Sequence, residues 1–177
     1  MGGKVSLRGK RVAILVEDFY EELELWYPLL RLREEGADVV VVGTGSKEIY
    51  AGKHGYPVEA EATIFGIGPE DIDAVVIPGG YAPDRMRRFP ALLDLVRQVF
   101  EADKVVATIC HGGWVLVSAG VLSGRKVTGF ISIKDDLVNA GARYIDRAVV
   151  QDGNLVTSRV PDDLPAFCQA IIAALEN

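Results

Sequence analysis

The stretch KVVATICHGGW, residues 104–114, decides the fold of this chain. Residues 104–109 are mostly apolar and β-branched, which is typical of a strand buried on both faces. Small residues follow, and an apolar helical pattern then runs over 112–120 and ends at Gly120. A strand that turns directly into a helix predicts an α/β fold, with Cys110 at the turn.

The same alternation of strand and helix continues along the chain. The patterns predict strands over 11–16, 38–43 and 73–80, and helices over 21–36, 90–103 and 161–176. They also predict a β-hairpin over 147–159, and loops with short strands over 44–63. Pro28 predicts a kink in the first helix or a later start. We expect one domain over residues 1–177, a three-layer α/β/α sandwich with a mostly parallel sheet.

Composition limits the classes of function. The 177 residues are 49% hydrophobic and carry a formal net charge of -6, which disfavours attraction to nucleic acid or to an anionic membrane. The apolar runs are too short to span a bilayer, and the first residues lack a signal stretch, so we expect a cytoplasmic protein. Two cysteines and two histidines without metal-ligand spacing predict no disulfide framework, no metal and no other cofactor.

Three unusual stretches each follow a predicted strand. They are VEDFYEELE at 16–24, PGGYAPDR at 78–85 and CHGG at 110–113. In an open parallel sheet, ligands bind beyond the carboxyl ends of the strands. Because all three stretches fall at that end, the sequence predicts that they meet in one site.

Cys110 is either a small hydrophobe at the end of a buried strand or a nucleophile. Small or polar residues lie on both sides of it, which is the pattern of a nucleophile elbow, a turn too sharp for large neighbours. The following helix points its N-terminus at the sulfur, and this predicts a lowered thiol pKa. Cys168 lies among apolar residues in the last predicted helix, and we interpret it as a packed residue.

A cysteine nucleophile often works with a histidine. His111 is adjacent to Cys110, so the two side chains could diverge at the turn, and His111 would need an acid to orient it. His54 lies in a loop between glycines, and we interpret it as solvated. Asp84 is either a candidate acid or one more surface charge among arginines.

The remaining candidates are carboxyl groups and backbone amides. Glu21 and Glu24 either are solvated acids in the first helical turn or face the site. The leucines beside Glu24 favour burial of its carboxyl and a raised pKa. A protonated Glu24 carboxyl could then donate a hydrogen bond to the sulfur of Cys110. The backbone of Gly79 and Gly80, with the amide of His111, could form an oxyanion hole.

Six segments together resemble the ThiJ/PfpI family over about residues 10–172. They are GKHGYPV, VIPGGYAPDR, ATICHGGW, SAGVLSGRKVTG, KDDLVNAGARYID and NLVTSRVPDDLPAF. The resemblance implies a flavodoxin-like fold, a homodimer or higher homo-oligomer, and an oxidisable nucleophile at Cys110 with His111 as its partner. It also implies that Asp84 of a neighbouring subunit completes the site and that Glu24 hydrogen-bonds the cysteine.

The sequence departs from the family pattern at two positions. Asp84 stands where the protease branch often has the longer Glu, and Phe130 stands where some members have a tyrosine hydroxyl. The resemblance implies a stress-protective cysteine enzyme. It is either a glyoxalase or deglycase that acts on small carbonyl compounds such as methylglyoxal adducts, or an intracellular peptidase. The absence of a hydroxyl at Phe130 favours small electrophilic substrates. The alternative is a redox sensor or chaperone-like protein that uses an oxidisable cysteine without turnover.

Overall fold

The computed structural model describes residues 6–176. Its strands are β1 (Arg11–Val16), β2 (Asp38–Gly43), β3 (Ile49–Ala51), β4 (Pro57–Glu59), β5 (Ala62–Thr63), β6 (Ala74–Ile77), β7 (Val105–Ile109), β8 (Lys126–Val127), β9 (Arg143–Tyr144), β10 (Val149–Asp152) and β11 (Leu155–Ser158). Its helices are α1 (Glu22–Glu34), α2 (Ala82–Met86), α3 (Pro90–Glu101), α4 (Gly113–Ala119), α5 (Lys134–Asn139) and α6 (Leu164–Glu176).

A seven-stranded sheet forms the middle layer, in the order β10-β11-β7-β6-β1-β2-β5. Every neighbouring pair in it is parallel except β10 with β11, the hairpin at one edge. Helices α1 and α6 pack together on one face, and α3 and α4 pack together on the other. The predicted flavodoxin-like three-layer sandwich with a mostly parallel sheet is therefore confirmed.

The inner strands are apolar because helices cover them on both faces. All residues of β6 and β7 are buried, and in β1 only Arg11 at the first position is partly exposed. Continuous burial explains why these strands read as unbroken Val, Ile and Ala runs and not as alternating patterns. The same burial fixes the carboxyl ends of β1, β6 and β7 side by side.

Several predicted boundaries shift. Helix α1 begins at Glu22, so Pro28 lies inside the helix and does not mark a later start. The predicted strand over 73–80 ends at Ile77, and its last three residues form the loop above the sheet. The predicted helix over 112–120 is a short 3-10 turn, Cys110–Gly112, followed by α4.

Four short elements were not predicted: α2, α5, β8 and β9. Each spans six residues or fewer, which is too short for a periodic pattern to develop. The hairpin over 147–159 is observed, with Gly153 at a φ of 60° in its turn. Within residues 6–176, the helices fall short of the length and hydropathy that a membrane crossing requires.

The buried strand β1 gives a direct test of the core. Leu15 is fully buried between β2 and β6, whereas Leu30 on α1 is 60% exposed. We expect Leu15→Ala to lower the free energy of unfolding by about 2–5 kcal/mol because it leaves a cavity. The matched control Leu30→Ala should change it by about 0.5 kcal/mol or less. Urea unfolding measures both, and equal losses would contradict the packing described.

Candidate active site

Cys110 lies at the sharp turn between β7 and α4. Its φ is 60°, a left-handed conformation that is strained for a residue with a side chain. The turn is so tight that a Cβ on Gly112 would lie 2.7 Å from the carbonyl oxygen of Ile77 and would overlap the hydroxyl of Thr108. The structure therefore has the elbow that the small residues around Cys110 predict.

Gly79 brings the loop after β6 into contact with the elbow. A Cβ at this position would lie 2.5 Å from Oε2 of Glu24 and 2.8 Å from the Cβ of Cys110. The backbone N–H of Gly79 donates to Oε2 of Glu24 over 2.7 Å. Only glycine permits this approach, and its amide is used by Glu24, so it is not a free donor for an oxyanion.

Glu24 is fully buried on the first turn of α1. Burial raises the pKa of its carboxyl to about 7, although the Gly79 amide acts in the opposite direction. Among the described residues, Oε1 of Glu24 has no hydrogen-bond partner, and the carboxyl group interacts with the Cys110 thiol. The burial predicted for Glu24 is thus observed, and near neutral pH this carboxyl exchanges its proton.

The pKa of Cys110 differs from the sequence prediction. Burial, and after it the Glu24 carboxylate, raise the pKa of the Cys110 thiol to about 12, while the amides of His111 and Gly80 act to lower it. Burial also raises the pKa of Cys168 to about 12, so the predicted contrast between the two thiols is absent. The prediction was wrong because it counted the helix N-terminus and left out desolvation and the buried carboxylate.

The pKa values of Glu24 and Cys110 are coupled through their contact. An ionised carboxylate repels a thiolate, whereas a protonated carboxyl removes that repulsion and can donate a hydrogen bond. The thiolate is therefore favoured in the state in which Glu24 holds the proton.

The imidazole of His111 meets the thiol although the two residues are adjacent. Its Nδ1 lies 3.2 Å from the sulfur of Cys110, and its Nε2 lies 3.2 Å from the hydroxyl of Ser132. The ring stacks on Phe130 at 4.9 Å between centroids and contacts the edge of Trp114 at 5.2 Å. Burial, and then the charge of Lys53, lower the pKa of His111, so the ring is neutral at neutral pH and can accept a proton.

The loop between β3 and β4 places Lys53 and His54 beside the two acids at the start of α1. Glu21 forms an ion pair with Lys53, and Glu22 pairs with His54, whose Nδ1 lies 3.0 Å from its carboxylate. His54 is exposed, as predicted, but it is not free. Ligand atoms of Glu21, Glu22 and His54 lie within 4.8 Å of one another, yet Glu21 already pairs with Lys53 and Glu22 with His54, and we assign no metal there.

Asp84 lies away from the site within this chain. It is on α2, half exposed, and pairs with Arg88 one helical turn later. Among the described residues, no hydrogen bond or ion pair joins Asp84 to His111. Its role as an acid contributed to a neighbouring subunit stays a prediction.

These groups line a pocket of about 320 Å³ at the carboxyl ends of the strands. Its lining residues are Glu21, Glu24, Lys53, Gly80, Tyr81, Cys110, His111, Phe130, Val160 and Pro161. The three stretches predicted to converge do meet here. Lys53 and Ser132 were not selected from the sequence as site residues; the position of Lys53 beside His54 in GKHGYPV was the only available signal.

The chain is similar to a known protein family along most of its length. The model of the DJ-1/PfpI family matches residues 10–174. Deglycase PfpI of Pyrococcus furiosus is 45% identical over 166 residues, which covers 94% of this chain and 99% of that protein. A Bacillus subtilis relative named as a candidate cysteine protease, YraA, is 40% identical over 158 residues, which covers 89% of this chain and 94% of that protein.

A solved structure matches the fold closely. It is a two-domain protein from Anabaena variabilis with DJ-1/ThiJ/PfpI-like and ferritin-like domains, and it superposes with a TM-score of 0.92 and 46% identity. The match covers 94% of this chain and 48% of that chain.

The raised pKa of Glu24 predicts a pH-dependent stability. Between pH 4.5 and about 7, the unfolded chain releases this proton while the folded chain keeps it, so the free energy of unfolding falls as pH rises. The total fall is about 3 kcal/mol. We expect Glu24→Gln to remove this part of the slope, measured by urea unfolding across the pH range.

Glu22→Gln is the matched control on the same helical turn. Burial acts to raise the pKa of Glu22, but hydrogen bonds that include the amide and ring of His54 together outweigh it and hold this pKa below its usual value. Loss of this carboxyl therefore removes stability that is present above its unfolded pKa and lost as pH falls. The two variants should therefore change the pH profile in opposite directions. A parallel change in both would show that Glu24 is ionised throughout the range.

Proposed function

Because the chain belongs to the DJ-1/PfpI family, we propose that it is a cysteine-dependent enzyme that acts on small carbonyl compounds, with Cys110 as the nucleophile. The observation that carries the proposal is the 3.2 Å contact between the Cys110 sulfur and Nδ1 of a neutral His111 inside a pocket. A nucleophile within hydrogen-bond reach of a base is the minimum arrangement for covalent catalysis.

The first step is formation of the thiolate. His111 takes the thiol proton at Nδ1, and Ser132 holds the opposite ring nitrogen. The protonated carboxyl of Glu24 adds no negative charge beside the sulfur and can donate to it. The high pKa of the thiol means that this transfer is favoured only once a substrate accepts the sulfur's electron pair.

The second step is addition of the sulfur to the carbonyl carbon. The carbonyl oxygen becomes an anion, and backbone N–H groups are suited to hold it. The amides of His111 and Gly80 act to lower the pKa of the Cys110 thiol, so they are the donors we assign to the oxygen beside the reacting atom. The amide of Gly79, included in the oxyanion hole predicted from the sequence, is engaged by Glu24 and takes no part. The imidazolium of His111 then returns its proton to the oxygen.

The pocket favours a small substrate. Its volume of about 320 Å³ lies at the lower end of the range for ligand sites. Phe130 closes one side by stacking on His111, and it contributes no hydroxyl for a peptide backbone. A deglycase acting on methylglyoxal adducts fits these dimensions better than a peptidase, and a relative of 45% identity is named a deglycase.

Replacement of the nucleophile tests the proposal. We expect purified protein to release amines and thiols from their methylglyoxal adducts, and Cys110→Ser to lower kcat/KM by about a thousand-fold or more. Cys168→Ala is the matched control, because that thiol is buried in α6 away from the pocket, and it should keep full turnover.

Fluorogenic peptides assayed in parallel separate the two enzyme classes. Cleavage of peptides without turnover of adducts would assign the site to a peptidase. Equal turnover by Cys110→Ser would refute the nucleophile, and no turnover of any substrate would favour a redox-sensing role.

We also propose that Asp84 of a neighbouring subunit orients His111. Asp84→Ala should then lose activity, although by less than the roughly ten-thousand-fold loss known for a serine triad, because a thiolate needs less help. Mixing this variant with Cys110→Ser after dissociation tests the role. Random pairing in a dimer restores about one quarter of the wild-type sites. No recovery in verified mixed oligomers, or full activity in Asp84→Ala alone, would contradict it.

A further inference from the structure

A second groove lies at the hairpin edge of the sheet, separate from the Cys110 pocket. It has a volume of about 400 Å³. Its lining residues are Lys126, Arg143, Ile145, Arg147, Val149, Val150 and Gln151. Among the residues that the structure describes, the lining holds three cations and no acid, on a chain whose formal net charge is -6. The groove is therefore positively charged, although the chain as a whole is negatively charged.

The three cations have no anionic partner within residues 6–176. Lys126, Arg143 and Arg147 are all exposed, and no ion pair or side-chain hydrogen bond is made by them in the described part of the chain. The carboxylates nearby bind groups other than these three cationic side chains. Asp152 accepts the backbone N–H of Lys126 over 2.7 Å, and Asp146 pairs with Arg159 at 2.7 Å.

The arrangement of the cations is unfavourable without a ligand. Lys126 of β8 and Arg143 of β9 are register partners in a parallel ladder, so two like charges face each other. Like charges directly opposite across strands destabilise the pair. A multivalent anion between them would remove that repulsion, and we propose that this groove, which we call the basic groove, binds a small phosphorylated compound.

The chemistry of the lining matches one or two phosphate groups. The guanidinium groups of Arg143 and Arg147 can each form two parallel hydrogen bonds to phosphate oxygens, and Lys126 adds a point charge. Within residues 6–176, β10 is the outermost strand of the sheet, so its backbone along one side has no strand partner there and offers further donors. Aliphatic side chains of Ile145 and Val149 give an apolar wall for the sugar or carbon skeleton.

The size of the groove favours a small ligand over nucleic acid. A nucleic-acid backbone carries one charge for every few ångströms of its length and needs an extended basic surface. Within the described part of the chain the basic groove holds three cations, and the net charge of the chain repels a long polyanion. A sugar phosphate or a pyrophosphate-bearing compound fits both the volume and the charge.

Titration calorimetry at fixed ionic strength tests the basic groove. The probes are inorganic pyrophosphate and ribose 5-phosphate, with ribose as the uncharged control and a short single-stranded oligonucleotide as the competing class. We expect both phosphorylated probes to bind the full chain and ribose not to bind. The double variant Arg143→Gln/Arg147→Gln should weaken pyrophosphate binding by at least about tenfold, since two bidentate contacts are lost.

Two control variants make the result specific. Arg8→Gln removes an exposed arginine outside the groove and should leave binding unchanged. Cys110→Ser should bind as wild type, because the basic groove is independent of the proposed enzymatic site. Thermal unfolding of the double variant should show a Tm equal to or above that of wild type, because like-charge repulsion is reduced.

Several results would contradict binding of a small phosphorylated compound in the basic groove. Absence of binding by both phosphorylated probes, or equal binding by the double variant, would overturn the proposal. Binding of the oligonucleotide alone would show that the groove binds nucleic acid and not a small phosphorylated compound. A Tm several degrees lower in the double variant would show that the arginines hold the fold and would also overturn it.

Discussion

The hydrogen bond from the Gly79 amide to the buried carboxyl of Glu24 is the contact on which the rest of the site depends. It joins the first turn of α1 to the loop after β6, and the Cys110 elbow lies against the same atoms. A fully buried carboxylate requires more donors than this single amide provides. The carboxyl therefore keeps its proton to about pH 7, and the charge state of the neighbouring thiol follows from that.

The strained turn at Cys110 is held by the strands beneath it. The residue leaves β7 with a positive φ, and this cost persists only where the surroundings fix the backbone. Both β6 and β7 are completely buried, and their parallel ladder places Ile77 beside Thr108 directly below the turn. Packing of the sheet thus positions the sulfur, the imidazole and the backbone donors without any ordering by substrate.

Charge is distributed differently around the Cys110 pocket and the basic groove. At the Cys110 pocket, Lys53 is neutralised by Glu21, so the site is nearly balanced and suits an uncharged carbonyl group. At the basic groove, Lys126 faces Arg143 with no acid between them. The cation of the Cys110 pocket is thus paired with an acid, whereas the cations of the basic groove can bind an anion.

The sequence by itself determined the parallel sheet, the elbow at Cys110 and the meeting of three strand ends, because continuous apolar runs and small residues at a turn are local patterns. It indicated the burial of Glu24 through its leucine neighbours. Only the tertiary structure decided that Gly79 donates to Glu24, that Ser132 meets the His111 ring, that the charge of Lys53 lowers the pKa of His111, and that the thiol pKa rises. Those properties depend on desolvation and on distances of a few ångströms between residues that are about 20 to 90 positions apart, and no local pattern encodes such distances.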